Sequence, residues 1–424
     1  MRFLSTTIMV ATIALAVPAA HAAEADTMLA SAGRDGKSTG YKAEIGGISG
    51  EGRYVLFSSR SPDIVKGDTN GARDVFVWDR KTGKSVRANV SSDGSQTSHE
   101  KAYGHIGSTA AAISDDGSVV LFGGRGAGLT RSDSDASDAF VRDLRTGKTT
   151  LVSRGPDDTV GYPGALSANG RFVVYGLFAS GEREIILFDR QTRERSSVEL
   201  PVRQGQDYSQ DVVAITNDGQ SVTFVSNDPE LQSDSVMPGG EQVYMLDVPT
   251  GDVEQVSVSS DEQGANNNSG GGRTSPDGRY VVFESTASNL APGHVNRSQD
   301  VFLRDRVEGT TTVVTVGQAG LPADGPSWSR DVSDDGCRVA LDSDASNLVE
   351  GDTNSLTDVF VRDLCAEGTS RVSVASDGAQ GNGPSFAGFL SGDGEWAAFK
   401  SKAANLAAAD PNPKYDVFAR GPLE

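Results

Sequence analysis

One phrase recurs seven times along this chain. It is a turn of the form Ser-x-Asp-Gly or a close variant, a β-rich run such as Arg279-Tyr280-Val281-Val282-Phe283, a polar loop, and a run such as Asp358-Val359-Phe360-Val361-Arg362-Asp363. The turns are Glu51-Gly52, Asp116-Gly117, Asn169-Gly170, Asp218-Gly219, Asp277-Gly278, Asp335-Gly336 and Asp393-Gly394. A strand-only repeat of roughly 50–65 residues reads as one blade of a β-propeller. The expected fold is all-β: a seven-bladed propeller of four-stranded antiparallel blades. Six blades are the alternative, and the third copy, residues 167–216, is the shortest and the one that alternative would remove.

Asp-Gly and Asn-Gly suit two-residue hairpin turns in which both central residues take positive φ. Each is therefore expected to join a short first strand to a second, at 54–58, 119–122, 172–175, 221–225, 280–284, 338–342 and 396–400. Third strands are expected at 75–79, 139–143, 185–189, 243–247, 301–305, 359–363 and 417–420. Runs such as Val75-Phe76-Val77-Trp78 lack polar alternation, as strands buried on both faces do. Fourth strands are expected at 85–90, 149–152, 197–200, 256–258, 313–316 and 372–374. The last copy has none. Met28-Leu29-Ala30-Ser31, followed by Asp35-Gly36, matches Val372-Ser373-Val374 followed by Asp377-Gly378. Residues 27–31 should therefore be the outer strand of the seventh blade, closing the ring and covering its open edge.

The first residues read as a leader. Met1-Arg2 is a basic start, residues 8–17 are a short apolar run, and Ala20-His21-Ala22 is a small-x-small cleavage site. Residues 1–22 are expected to be a signal peptide and residues 23–424 a single propeller domain. No later run is apolar enough to suggest a transmembrane segment. The expected product is an exported monomer, periplasmic or extracellular. Its net charge of −20 disfavours nucleic acid and suits cations, basic partners or plain solubility.

Ser275-Pro276-Asp277-Gly278-Arg279-Tyr280-Val281-Val282-Phe283 resembles the repeat of TolB-like and WD-repeat-like propellers of bacterial exported proteins. The resemblance covers about residues 26–424 and implies the propeller alone. No counterpart of the α/β domain that precedes the TolB propeller is expected, and that family is usually six-bladed.

Three loops between second and third strands read Asp-x-Asn-x-x-x-Asp: Asp68, Asn70 and Asp74; Asp352, Asn354 and Asp358; Asp410, Asn412 and Asp416. A fourth carries His294, Asn296 and Asp300, and the second blade has Asp133, Asp135 and Asp138 at shifted spacing. Alternating hard oxygens can wrap a calcium ion, the one cofactor these motifs suggest. The competing reading is an Asx turn, in which the side chains bond loop N–H groups. Cys337 and Cys365 sit at matching ends of adjacent antiparallel strands, so a disulfide is expected, in a register that also opposes Leu341 to Val361.

Catalytic motifs are scarce. His99-Glu100 opens a zincin-like string, but Tyr103 stands where its second histidine belongs. His99 and His105 read as loop residues. There is no Gly-x-Ser-x-Gly elbow. Gly123 to Gly128 reads as a flexible hairpin loop, Asn266 to Gly272 as a flexible inter-blade linker, and Asp334-Asp335 and Asp157-Asp158 as chance acidic pairs. The expected function is a non-catalytic scaffold that binds an envelope protein, peptide or glycan, with Trp328 and Tyr103, both placed in inter-blade links, as candidate anchors. The alternative is a propeller hydrolase or lyase acting on polysaccharide or peptide.

Overall fold

A computed structural model describes residues 25–97, 107–125, 128–130, 137–153, 159–179, 182–200, 210–232, 240–292 and 298–423. Among these residues the chain forms seven four-stranded antiparallel sheets, the blades of a propeller. Strand order within a blade follows the sequence from the channel outward, as in Ala43–Ile48, Tyr54–Ser59, Asp74–Asp79 and Lys84–Arg87 of blade one. The third copy is a complete blade, from Val160–Leu166 to Arg195–Ser197. Blade seven is assembled from both ends of the chain. Asp26–Leu29 pairs with Asp416–Gly421, with Leu29 opposite Phe418. The ring therefore closes as the repeat implied. No helix among the described residues is long and apolar enough to cross a membrane.

The core is seven separate seams rather than one centre. Leu56, Val75 and Val77 of blade one meet Val120, Phe122 and Phe140 of blade two. Phe57 and Phe76 face the other way, against Trp396 and Val417 of blade seven. Second and third strands are buried on both faces for this reason, so their apolar runs are continuous. Phenylalanines opposed across these strands stack, as Phe57 on Phe76 at 5.5 Å and Phe399 on Phe418 at 5.8 Å between ring centroids. A fully buried side chain of this size contributes about 1.5–3 kcal/mol.

The turns differ from the expected two-residue type. In blade two the loop runs between Ser114 and Val119, and only Gly117, not Asp116, has positive φ. The Ser114 hydroxyl accepts the Val119 N–H at 3.0 Å and donates to Asp116 Oδ1 at 2.7 Å. Asp116 Oδ1 also accepts the Ser118 N–H at 2.8 Å. This side-chain network satisfies the wider loop, so the aspartate need not enter the left-handed region. The glycine has a second duty: a Cβ on Gly117 would lie 2.1 Å from Tyr54 Cδ2 of blade one. The same step brings Gly52 against Trp396 across the closing seam.

Three further expectations fail on local grounds. The Val-Ser-Val runs are not the outer strands, which are Val253–Gln255, Thr310–Val313 and Gly368–Arg371. Those strands are largely exposed and polar, so hydrophobicity pointed past them. The valines beyond are buried beneath the blade exit, and Ser257 and Ser373 there accept the Val243 and Val359 N–H groups. The Asn- and Gly-rich stretch is not a linker either, because Ser269–Thr274 is the innermost strand of blade five. Gly271 and Gly272 have φ of 78° and 103° at a bulge there, and a Cβ on Gly271 would lie 2.3 Å from Ser329 Oγ. Likewise Gly123 and Gly124 belong to the second strand Val119–Arg125.

Cys337 and Cys365 form a disulfide with Cα atoms 5.3 Å apart. The register is one residue from that expected: Leu341 opposes Phe360, and Val361 opposes Ala340. Leu341 and Phe360 share the seam with blade five, whereas Val361 and Ala340 share the seam with blade seven. Pairing Leu341 with Val361 would have turned one of them to the wrong seam. The disulfide lies beyond the last strand pair, Arg338 with Asp363, where the Leu364 N–H donates to the Cys337 carbonyl at 2.7 Å.

Candidate functional sites at the two channel faces

Every innermost strand carries a bulge, for example between Ile45 and Gly47, Ala110 and Ala112, and Ser329 and Asp331. Beyond the bulge each strand delivers its Ser-x-Asp-Gly turn to one mouth of the central channel. There the x residues link blade to blade. The Gly50 N–H donates to the Asp115 carbonyl, Asp115 N–H to Ala168, Asn217 N–H to Pro276, and Asp334 N–H to Gly392, all at 2.8–2.9 Å. Asp393 N–H closes back to Gly50 at 3.1 Å. Pro276, lacking an N–H, cannot extend the ring to blade six.

The mouth opens on a cavity of 140 Å³ lined by all seven blades, mostly by glycine, alanine and branched aliphatic residues. Its ionisable lining is Asp115 of blade two, Arg273 of blade five, and Asp331 and Asp334 of blade six. Burial, then the fields of Asp334, Asp116 and Asp331, pushes Asp115 up to about 6. Burial pushes Asp331 up to about 6 as well, against the attraction of Arg273. Asp334 is raised by burial and by Asp277, Asp335 and Asp393. Two glycines make room for this crowding. A Cβ on Gly50 would lie 2.8 Å from Asp115 Cβ, and one on Gly392 2.9 Å from the Asp334 carboxylate. The arrangement is a small, rigid, acidic mouth suited to a cationic group. Sequence reasoning passed over it by treating Asp334-Asp335 as chance. The legible signal was the x position of the repeat, which is acidic at Asp115 and Asp334 and glycine at Gly50 and Gly392.

The Asp-x-Asn-x-x-x-Asp loops lie at the opposite face. In blade one, Asn70 Oδ1 accepts the Ala72 N–H, and its amide donates to Asp74 Oδ1 at 3.2 Å. The Arg87 guanidinium, from the outer strand, reaches Asp74 Oδ2 at 3.1 Å and Asp68 Oδ1 at 3.5 Å. Blade six repeats this: Arg371 reaches Asp352 at 3.1 Å and Asp358 at 3.7 Å. In both loops an Asx turn and an internal cation coexist. Blade seven has the same turn, with Asn412 Oδ1 accepting the Lys414 N–H at 2.8 Å. In blades two and five, Asp138 and Asp300 accept hydroxyls of Ser153 and Thr315. His99, Glu100, Tyr103, His105, Asp133, Asp135, Asp157, Asp158, His294 and Asn296 lie outside the described residues, as does the expected leader. Among the described residues, no group of three or more His, Cys, Asp or Glu is arranged to hold a metal ion.

Trp328 is not in a link. It is half-buried on the innermost strand Ser327–Val332, opposite Asp342. Among the described residues the aromatics most open to solvent are Tyr162, 55% exposed, and Phe178, 46% exposed, on the first two strands of blade three, and Tyr41, 46% exposed, before blade one.

No family model matches this sequence, and no curated protein matches it in sequence. Solved structures match the fold. An oligogalacturonate lyase in complex with manganese superposes with a TM-score of 0.55 at 13% identity, covering 94% of this chain and 96% of that one. The β-propeller domain of the Trilobed protease from Pyrococcus furiosus, described as having an open velcro topology, gives 0.51 at 12% identity, with 89% and 93% covered. TolB from Acinetobacter baumannii gives 0.40 at 14% identity, with 88% and 81% covered. At these identities the likeness is one of propeller fold alone.

Proposed function

We propose that this chain is an exported, non-catalytic propeller scaffold that receives a protein or peptide partner through a basic group at the acidic turn-side mouth. The observation that carries this reading is the convergence of Asp115 and Asp334 from blades two and six onto the glycines of blades one and seven. A basic side chain entering there would offset the burial and the neighbouring carboxylates that lift these two groups. The backbone hydrogen bonds that already join most of the blades at this mouth lower the ordering cost of binding. The disulfide and the leader-like N-terminus support export.

A second reading, a hydrolase or lyase acting on polysaccharide or peptide, is favoured by one feature. Asp331 is lifted into the range useful for proton transfer and lies in the same cavity as Arg273. One experiment separates the two. The purified protein is titrated with lysine- and arginine-containing peptides, with acidic peptides of equal length, and with neutral and uronate oligosaccharides, and each mixture is assayed for turnover. The scaffold reading expects salt-sensitive binding of basic peptides that falls at least tenfold in Asp115→Asn/Asp334→Asn, with no product formed. Product that disappears in Asp331→Asn would replace it with the enzymatic reading, and indifference to every basic peptide would sink it.

A further inference from the structure

The geometry points to a single site for a hard divalent cation, with calcium as the probe ion, in the acidic loop of blade seven. The argument rests on how blade seven departs from its sisters. In blade one, Arg87 opposes Phe76 across the outer strand pair, and in blade six Arg371 opposes Phe360. Each arginine puts a permanent cation between the two aspartates of its loop. In blade seven the outer strand comes from the N-terminus, and the residue opposite Phe418 is Leu29. No ion pair among the described residues reaches Asp410 or Asp416.

A second filler is missing from the same place. Two residues beyond the glycine of the following turn stand Gln96 in blade one and Gln380 in blade six. Gln96 accepts from Arg87 at 2.8 Å, and Gln380 donates to Asp352 at 3.0 Å. The equivalent position in blade seven is Ser38, whose hydroxyl donates to Asp416 Oδ2 at 2.8 Å. Two long polar side chains have become a leucine turned to the core and a serine, while both aspartates stay fully buried.

The polar groups left there are two carboxylates, two hydroxyls and a carboxamide. Asp416 Oδ1 accepts from Ser31 at 2.6 Å. The Asn412 amide donates to Asp410 Oδ1 at 2.8 Å, to Asp416 Oδ2 at 3.5 Å, and to Ser38. The Asn412 N–H also meets Asp410 Oδ1, at 3.3 Å. Asp410 Oδ2 is buried with no hydrogen-bond donor at all. A buried carboxylate oxygen without a donor, next to a second carboxylate, is costly unless a cation neutralises it. Two carboxylates with hydroxyl oxygens are ligands of the hard type, and with water they suit calcium better than a softer metal. Burial with the field of Asp416 also lifts Asp410 to about 6.

The test uses the full-length protein, stripped with chelator and titrated calorimetrically with calcium, and with magnesium and manganese in parallel. Extracellular modules bind calcium at about 10⁻⁴–10⁻³ M, so the titration must extend to millimolar ion. The expected result is one site per chain, with a melting temperature that rises with ion concentration. Asp410→Asn should weaken binding at least tenfold while raising the melting temperature of the metal-free protein. Asp68→Asn and Asp352→Asn should leave one site. Leu29→Arg, if it folds, should lose the site by supplying the cation from within. Absence of binding at millimolar ion overturns the inference, as does a site that survives Asp410→Asn or disappears in Asp68→Asn.

Discussion

Blades six and seven share a plan and differ in how it is held. Blade six is one continuous stretch of chain, locked at its turn end by Cys337–Cys365 and neutralised in its acidic loop by Arg371. Blade seven is made of the two chain ends, joined by the pairing of Asp26–Leu29 with Asp416–Gly421 and by hydrogen bonds from Ser31 and Ser38 to Asp416. Its loop contains no internal cation among the described residues. The difference teaches that a repeat constrains the blade and not the chemistry inside it. When the outer strand arrives from a distant part of the chain, the residue facing the acidic loop is no longer set by the local repeat. The largely apolar seam between these two blades also carries hydrogen bonds. Asp342 of blade six accepts the Ala387 and Gly388 N–H groups at 2.9 and 3.3 Å, and Asp331 accepts that of Leu390 at 3.1 Å.

Breaking blade seven should have the largest effect. Deleting residues 24–32 exposes the edge of Asp416–Gly421 and removes the cover of Leu29 and Met28. At about 1.5–3 kcal/mol for each buried apolar side chain, plus the lost strand pairing, the expected loss is about 5 kcal/mol in a denaturant titration. An unchanged midpoint would show that the ring does not depend on this closure.

Breaking blade six covalently should cost less. Cys337→Ser/Cys365→Ser frees a loop closed at a separation of 28 residues, which the chain-entropy model values at about 3–4 kcal/mol. Reductant should lower the melting temperature of the wild-type protein and leave the double variant unchanged.

Making blade six resemble blade seven sharpens the comparison. Arg371→Leu should destabilise by about 3 kcal/mol, because the buried Asp352 and Asp358 lose their neutralising partner. Urea unfolding of this variant with and without millimolar calcium would also show whether the loop has gained an ion response.

The smallest effect is in pH dependence. Asp115 and Asp331 have native values near 6, above those of the unfolded chain, so the native state holds its protons more tightly. Stability from these groups is present below the unfolded value and is lost as pH rises through 6. The melting temperature should rise from pH 7 to pH 5, and less so in Asp115→Asn/Asp331→Asn. Equal slopes in the two proteins would remove the mouth as the source.

The repeat by itself determined the number of blades, the second and third strands of each, the ring closure and the partnership of the two cysteines. These follow from turn chemistry, apolar runs and chain order, which are local properties that a sequence displays. It misplaced the outer strands because those are exposed and carry no apolar signal, and it took Ser269–Thr274 for a linker because glycine in a crowded bulge looks like glycine in a loose loop. Tertiary structure alone decided the candidate sites. Asp115 and Asp334 stand far apart in sequence and meet because the ring brings blades two and six to one mouth. Arg87 and Arg371 fill their loops, and Leu29 does not, because of which strand lies outermost in each blade. A charge is neutralised or stranded by whatever lies a few ångströms away in space, and the order of residues along the chain does not state that distance.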